Sequence, residues 1–281
     1  MTTALLSQTR FVTDYVVVQQ GSPGSGAQRV GALQWRRGRT GRLEIGHDLD
    51  LATVSDTRMV AELEGLVHCG VLVGRQQFED AATGVILTCA DDAGDCWRAF
   101  YANSLRELSS GRSPFAPIHK RALSLISGSS LLEVGCCFGF FALQAAAGHC
   151  ADVYACDISA GAVRLLDEAA RQRTSNVQVD CGDALALPYP DDFVDTVTLI
   201  HLLEHLPGGA DLAIAEALRV ARGRVVIAVP YEQVASAHFG HHHTLTPLTL
   251  ARWAETAGQP DALTFSDHGG WLVLSADHNG R

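Results

Sequence analysis

The sequence predicts an α/β protein: a mainly parallel sheet that closes in a terminal antiparallel pair, preceded by a small N-terminal α+β region. Three observations point there. From Ser130 onward, short apolar runs alternate with segments of helical length, as they do when each parallel strand needs a crossover. The first of these runs is Ser130-Leu-Leu-Glu133-Val, followed by a Gly135 to Gly139 turn and an Ala/Leu/Phe-rich stretch ending at Gly148, the opening of a βαβ unit. Finally, Ala262-Leu-Thr-Phe and Trp271-Leu-Val-Leu flank Gly269-Gly270 and read as two paired strands.

Taken in order, residues 1–90 form the α+β accessory region. Phe11 to Val18 reads as a strand, Gly21-Ser-Pro-Gly-Ser-Gly26 as a loop, and Arg29 to Trp35 and Gly84 to Cys89 as further strands. Thr57 to Val67 has helical spacing. No chemistry is assigned to this region. Residues 91–128 read as a helical lid or linker. Trp97, Phe100, Tyr101 and Leu105 share one face of a first helix, and a second runs from Ala116 to Ile126. An aromatic stripe at helical spacing is more often core than lid.

Residues 129–281 carry the alternating pattern. Asp152 to Asp157 is the second strand, Asn176 to Cys181 the third, Phe193 to Ile200 the fourth and Arg224 to Pro230 the fifth. Helices are expected over Ala160 to Arg173, Gly209 to Ala221 and Leu248 to Ala257.

Composition narrows the function. The chain of 281 residues is 47% hydrophobic, enough for a full core, and no apolar run is long enough to span a bilayer. The start of the chain lacks a charged segment followed by a signal-length apolar core, so a cytoplasmic protein is expected. The net charge is −10, from 21 basic and 31 acidic residues, which argues against a nucleic-acid binder that tracks phosphates. The eight cysteines contain no C-x-x-C pair and read as small buried residues.

The acid at the end of the first strand separates Glu133-Val-Gly135-Cys-Cys137-Phe-Gly139 from an ordinary dinucleotide fingerprint, because it would repel a pyrophosphate. It suits a cofactor that carries positive charge. The stretch resembles the first motif of the class I S-adenosylmethionine-dependent methyltransferases, an acid followed by three alternating glycines, with Cys137 in place of the middle one. The resemblance implies a Rossmann-like methyltransferase fold and S-adenosyl-L-methionine bound over Glu133, Gly135, Cys137 and Gly139.

Two more acids extend this site. Asp157 ends the second strand about 20 residues beyond the glycine turn, where such folds place a carboxylate on ribose hydroxyls. The competing reading is a helix cap. Ile158 would flank the adenine. In Gly182-Asp183-Ala184-Leu-Ala-Leu-Pro188, Asp183 stands alone as a turn residue. The methyltransferase resemblance has it accept from the adenine amino group, with Ala184 beside it.

His201-Leu-Leu-Glu204-His205 follows the fourth strand. On a helix, positions i, i+3 and i+4 share a face, so two imidazoles and a carboxylate can converge. The flanking strand separates it from the H-x-x-E-H zinc peptidases. It resembles the Glu-x-x-Glu-His divalent-metal site of small-RNA 2′-O-methyltransferases and ubiquinone-pathway O-methyltransferases, with His201 in place of the first Glu. That resemblance implies a Mg or Zn ion on His201, Glu204, His205 and a distant histidine such as His241. The metal-free alternative has His201 lining the cofactor and Glu204 at a helix start. The cluster His238-Phe-Gly240-His241-His242-His243 can equally bind an acceptor's hydroxyls, with at least one imidazole in solvent. His205 and His241 are the candidate bases.

Several strings together resemble the mycofactocin oligosaccharide methyltransferases. They are Trp97-x-x-Phe-Tyr-x-Asn-Ser-Leu105, Phe115-Ala-Pro, Cys137-Phe-Gly139, His201-Leu-Leu-Glu-His-Leu206, Gly240-His241 and His268-Gly-Gly-Trp-Leu-Val-Leu274. This likeness runs from about residue 90 to the C-terminus. It implies O-methylation of a glucose unit, with an oligosaccharide or other small molecule as acceptor. A lipid or quinone hydroxyl, or a cofactor-binding protein without turnover, is the alternative.

Overall fold

The computed structural model describes residues 5–7, 10–148 and 150–276. Contacts divide the chain into two units, one of residues up to Pro114 plus Ser236–Gly240, the other of Phe115–Ala235 and the chain from His241.

In the first unit, strands β1 (Leu5–Ser7), β2 (Arg10–Val12), β3 (Val16–Gln20), β4 (Gln28–Val30), β5 (Leu33–Arg37) and β6 (Leu43–His47) form a sheet in the order β1-β2-β3-β6-β5-β4. Only β3 and β6 pair in parallel; the other neighbours are antiparallel. Helices α1 (Asp56–His68), α2 (Gly74–Leu87) and α3 (Ala93–Ser109) follow. The sheet contributes Val16, Val18, Leu33, Leu43 and Ile45 to a core shared with Leu63, Leu66, Val85, Ile86 and Phe100 of the helices.

Three expectations for this region are corrected. The run Phe11 to Val18 is two strands, because Thr13 Oγ1 accepts from the amides of Tyr15 and Val16 and closes a turn between them. Arg29 to Trp35 is likewise a hairpin, reversed at Gly31 with φ of 56°. Gly84 to Cys89 is not a strand but the last turn of α2, its C-cap Thr88 and the residue after it, and burial of Val85 and Ile86 overrides their strand preference. Gly84 lets that helix lie close on the sheet: a Cβ there would sit 2.5 Å from Val18 Cγ2 and 2.8 Å from Phe11 Cδ1.

The expected boundary at residue 90 and the separate helical linker are corrected too. Helix α3 packs with α1 and α2 inside the first unit, whereas α4 (Ala116–Leu125) packs on a strand of the second. Phe100 and Tyr101 are buried, which makes the aromatic face of α3 core. The Asn-Ser of the same helix is also structural. Asn103 Nδ2 donates to the carbonyls of Leu51 and Val54 at 3.1 and 2.7 Å, and Ser104 Oγ accepts from the Asp56 amide at 2.9 Å.

In the second unit, β7 (Ser130–Val134), α5 (Phe140–Ala146), β8 (Asp152–Asp157), α6 (Ala160–Gln172), β9 (Val177–Cys181), β10 (Val194–Ile200), α7 (Ala210–Val220), β11 (Ala221–Val229), α8 (Pro247–Thr256), β12 (Leu263–Ser266) and β13 (Gly270–Ser275) succeed one another. The sheet order is β12-β13-β11-β10-β7-β8-β9. The five strands from β11 to β9 in that order are parallel, and β13 pairs antiparallel with both β11 and β12. This is the Rossmann-like α/β arrangement expected, closing pair included. The chain leaves β7 toward β8 and β9, then returns to place β10 on the other side of β7. That reversal opens a crevice at the carboxyl ends of β7 and β10, where open α/β sheets bind ligands.

Candidate active site

The glycine turn after β7 is built by left-handed backbone. Gly135, Cys137 and Gly139 have φ of 73°, 49° and 66°. The first and last match the glycine requirement; Cys137 adopts the same region with a side chain, at a steric cost of about 1–2 kcal/mol. Its amide donates to Asp157 Oδ2 at 2.9 Å, which ties the turn to the end of β8.

The acids expected on the cofactor occupy the ends of three adjacent strands. Glu133, on β7, is buried, and its Oε2 accepts from the Ala142 amide in the first turn of α5 at 2.9 Å. Burial pushes its carboxyl up to about 8, opposed by that amide and reinforced by the Asp157 charge. Asp157 takes the Cys137 amide on one oxygen and the Ser159 amide on the other at 2.8 Å. The cap of α6 is Ser159, so the helix-cap alternative for Asp157 does not hold. Ile158 beside it is 73% exposed, an apolar side chain held at the mouth of the crevice. Asp183, just past β9, has Oδ1 on the Leu185 amide at 2.9 Å, the turn contact its neighbours suggested, and Ala184 follows it half-buried.

On the far side of the crevice, the chain leaving β10 corrects one expectation. His201 to His205 is not an α-helix. His201 has φ of 51°, its amide bonds to the Ala228 carbonyl at 2.8 Å, and only Leu203–His205 forms a single 3₁₀ turn. His201 packs edge-on against Phe115, ring centres 5.5 Å apart. Burial, and then the neighbouring His241, His205 and His119, push its pKa down to about 4, so it is neutral at pH 7.

Glu204 is fully buried, and neither carboxylate oxygen has a hydrogen-bond partner. His201 Nδ1 lies 3.5 Å from Oε1. Burial pushes the Glu204 carboxyl up to about 8. The His242 amide donates to the Glu204 carbonyl at 2.8 Å and so pins the histidine segment against the 3₁₀ turn. The rings of His205 and His241 then meet edge to face, 4.8 Å between centres. Nδ1 of His241 lies 2.7 Å from a Glu232 carboxylate oxygen.

Among the described residues, ligand atoms of Glu204, His205 and His241 lie within 4.8 Å of one another. The expected four-residue set shrinks by one: His201 stands next to Glu204 but outside that group. The other histidines disperse. His238 packs on Phe78 in the first unit, and His242 and His243 are exposed. Glu232 escaped the sequence reading, and the only signal was an acid shortly after a buried strand. A separate groove of about 620 Å³, lined by Ser127, Arg224, Gln259 and Asp261 among others, lies at the amino ends of the parallel strands, away from all these groups. No described helix is long and apolar enough to cross a membrane.

Comparison with known proteins bears on this half of the chain. Residues 132–229 match the family described as methyltransferase domain. Ajmaline N-methyltransferase from Rauvolfia serpentina is 35% identical over 102 residues, 36% of this chain and 35% of that protein. The chain therefore spans about a third of the length of that relative. Among solved structures, the [4+2]-cyclase SpnF is 27% identical over 50% of this chain and 54% of its own, with a TM-score of 0.43. A SAM-dependent methyltransferase from Aquifex aeolicus is 18% identical, covering 61% of this chain and 97% of that one, with a TM-score of 0.47. A putative S-adenosyl-L-methionine-dependent methyltransferase from Methanococcus maripaludis is 14% identical, covering 65% and 94%, with a TM-score of 0.49.

Proposed function

We propose that the chain, whose residues 132–229 match a family described as methyltransferase domain, is a class I S-adenosylmethionine-dependent methyltransferase that transfers a methyl group to a sugar hydroxyl. The acceptor we favour is a glucose unit of the mycofactocin oligosaccharide. The observation that carries an oxygen acceptor is the buried Glu204 with His205 and His241 at the carboxyl end of β10.

The crevice suits the cofactor on its own evidence. The turn from Gly135 to Gly139 keeps backbone bare at the start of α5, Asp157 supplies a carboxylate for a vicinal diol, and Ile158 offers an exposed apolar face for a base. When bound, S-adenosylmethionine supplies an electrophilic methyl on a sulfonium. The residues here do the rest. Asp157 places a carboxylate near a cation, Glu133 releases its proton and ionises once that cation is bound, and His201, neutral at pH 7, adds no opposing charge. Holding donor sulfur, methyl carbon and acceptor oxygen in line accounts for much of the expected acceleration.

A sugar hydroxyl is a poor nucleophile until its proton has a destination. The Glu204, His205 and His241 group can supply one, through a neutral imidazole or through a cation that acidifies the hydroxyl. The relative that methylates nitrogen favours a second reading, transfer to an amine, and lipid or quinone hydroxyls are the oxygen alternatives. A buried carboxylate and two imidazoles are more than an uncharged amine requires, which supports oxygen.

The test is incubation with methyl-labelled S-adenosylmethionine and oligoglucose-bearing acceptors, with the product located by mass spectrometry. Label on a sugar oxygen is expected. Label on nitrogen, or cofactor binding without turnover, would overturn the proposal. His205→Ala should lower kcat by at least ~100-fold.

A further inference from the structure

We infer that His119 binds the methionyl end of S-adenosylmethionine, its Nε2 accepting a hydrogen bond from the cofactor's α-ammonium, with Gln144 positioning the ring. The inference rests on the cofactor half of the reading above and is independent of the acceptor.

His119 lies near the start of α4. Its amide bonds to the Phe115 carbonyl at 2.9 Å, and the four-residue spacing sets both rings on one face of the helix, with centres 6.4 Å apart. Phe141, in the first turn of α5, meets the imidazole edge to face at 5.5 Å. The imidazole is thus buried, at 9% exposure, against two phenyl rings.

One ring nitrogen is committed to the fold. Nδ1 lies 2.6 Å from Gln144 Oε1, about one turn beyond Phe141 on α5. An amide oxygen only accepts, so Nδ1 carries the proton and Nε2 keeps its lone pair. Burial favours this uncharged ring by lowering its pKa, against the opposing effect of the Gln144 contact. Among the described residues Nε2 has no hydrogen-bond partner, and the packing does not seal it from solvent. An unmet acceptor in an apolar wall is costly, so a donor from outside the protein fits it.

The sheet topology indicates which end of the cofactor supplies that donor. The carboxylates assigned to the nucleoside, Asp157 and Asp183, stand at the ends of β8 and β9. The strands run in the order β10-β7-β8-β9, so a nucleoside over β8 and β9 sends its amino-acid arm across the glycine turn toward β10. His119 stands at that end. Phe115 packs both on it and on His201, the residue that leaves β10, with ring centres 6.4 and 5.5 Å away. Helix α5 ties the two sides of this space together, because its Ala142 amide holds Glu133 and its Gln144 holds His119. The arm carries one donor, the ammonium, and one acceptor, the carboxylate. A lone pair on Nε2 selects the ammonium.

The experiment is calorimetry of the full-length protein with S-adenosylmethionine, with its decarboxylated form, which keeps the amine, and with methylthioadenosine, which lacks the whole arm. His119→Phe keeps an aromatic ring against Phe115 and Phe141 and removes both nitrogens. It should weaken S-adenosylmethionine and the decarboxylated form alike by at least ~10-fold and leave methylthioadenosine within ~2-fold of the wild type. Gln144→Leu should show the same selectivity with a loss of ~3- to 10-fold. Unchanged methylthioadenosine binding also shows that each variant keeps its crevice folded. Equal losses for all three ligands would make the ring a support of the crevice. A loss confined to the carboxylated cofactor would move the contact to the carboxylate, and no loss would remove His119 from the site. Each of these results overturns the inference while leaving the cofactor reading in place. Failure of the wild type to bind S-adenosylmethionine overturns both.

Discussion

Leu202 fills the space that a side chain at Gly135 would occupy: a Cβ on that glycine would lie 2.6 Å from Leu202 Cδ1. The contact joins the two halves of the crevice. Gly135 belongs to the turn that faces the cofactor, and Leu202 stands between His201 and the 3₁₀ turn that presents Glu204 and His205.

Gly135→Ala should therefore do more than strain one residue. The left-handed φ of 73° costs about 1–2 kcal/mol with any side chain, and displacing Leu202 adds to that. Gly258 provides the control, with the same φ of 73° and nothing within 4 Å of its Cβ position. Urea denaturation should show Gly258→Ala losing only the backbone part and Gly135→Ala about 1–2 kcal/mol more. Calorimetry should show at least ~10-fold weaker cofactor binding for Gly135→Ala alone. Equal losses in the two variants would mean that Leu202 simply moves aside.

Cys137→Gly is expected to stabilise the fold. The left-handed penalty at φ of 49° disappears, and the greater freedom of glycine in the unfolded chain returns part of the gain. The net expectation is about 0.5–1 kcal/mol of added stability by urea denaturation, with cofactor affinity unchanged because the amide bond to Asp157 is kept. Cys137→Val should lose stability, since a β-branched residue fits that backbone worst.

How much of this could be read from the chain differs between the two units. Strands β7, β8, β10 and β11 lie in a parallel sheet with helices packed on it, so they write long apolar runs that a reader can find. The first unit uses strands of three to five residues and a hairpin hidden in Val30-Gly31-Ala32, and its α2 carries Val85 and Ile86 where a strand is expected. Within the site, Glu204 and His205 were visible by spacing. His241 was one candidate among several histidines, and only the fold separates it from His238. Glu232 was not legible, because its partner lies nine residues away across a loop that no periodicity describes.

Asp195 supplies a test of scaffold without chemistry. Its Oδ2 accepts from the Ser129 and Ser130 amides and the Ser130 hydroxyl at 2.8, 3.0 and 2.8 Å, and its Oδ1 accepts from Arg222. Burial works against ionisation, but these donors outweigh it and hold the carboxyl down at about 2. A depressed carboxyl contributes stability above its unfolded value, 3.8, and loses it as pH falls toward 2. Asp195→Asn should cost about 2 kcal/mol at neutral pH, lack that acid-side decline, and leave kcat and cofactor affinity as they were. A fall in kcat without a shift in urea midpoint would contradict the purely structural role.

Glu133 carries the prediction most closely tied to the cofactor. Burial raises its carboxyl to about 8, so at pH 7 the cofactor-free protein holds a proton there that the unfolded chain has released above 4.5. Stability in the absence of cofactor should therefore decline as pH rises from 4.5 toward 8, and Glu133→Gln should remove this slope. A cationic ligand favours the ionised carboxylate, so binding S-adenosylmethionine should expel the proton, and affinity should climb as pH rises through neutrality toward 8. Calorimetry at pH 7 in buffers of different ionisation enthalpy measures that release directly, and it should approach about one proton in the wild type and fall toward zero in Glu133→Gln. The helix contact need not be lost with the charge, because the Gln carbonyl can still accept from the Ala142 amide. Equal proton release in the two proteins would place the titrating group elsewhere and leave Glu133 as a support for α5 only.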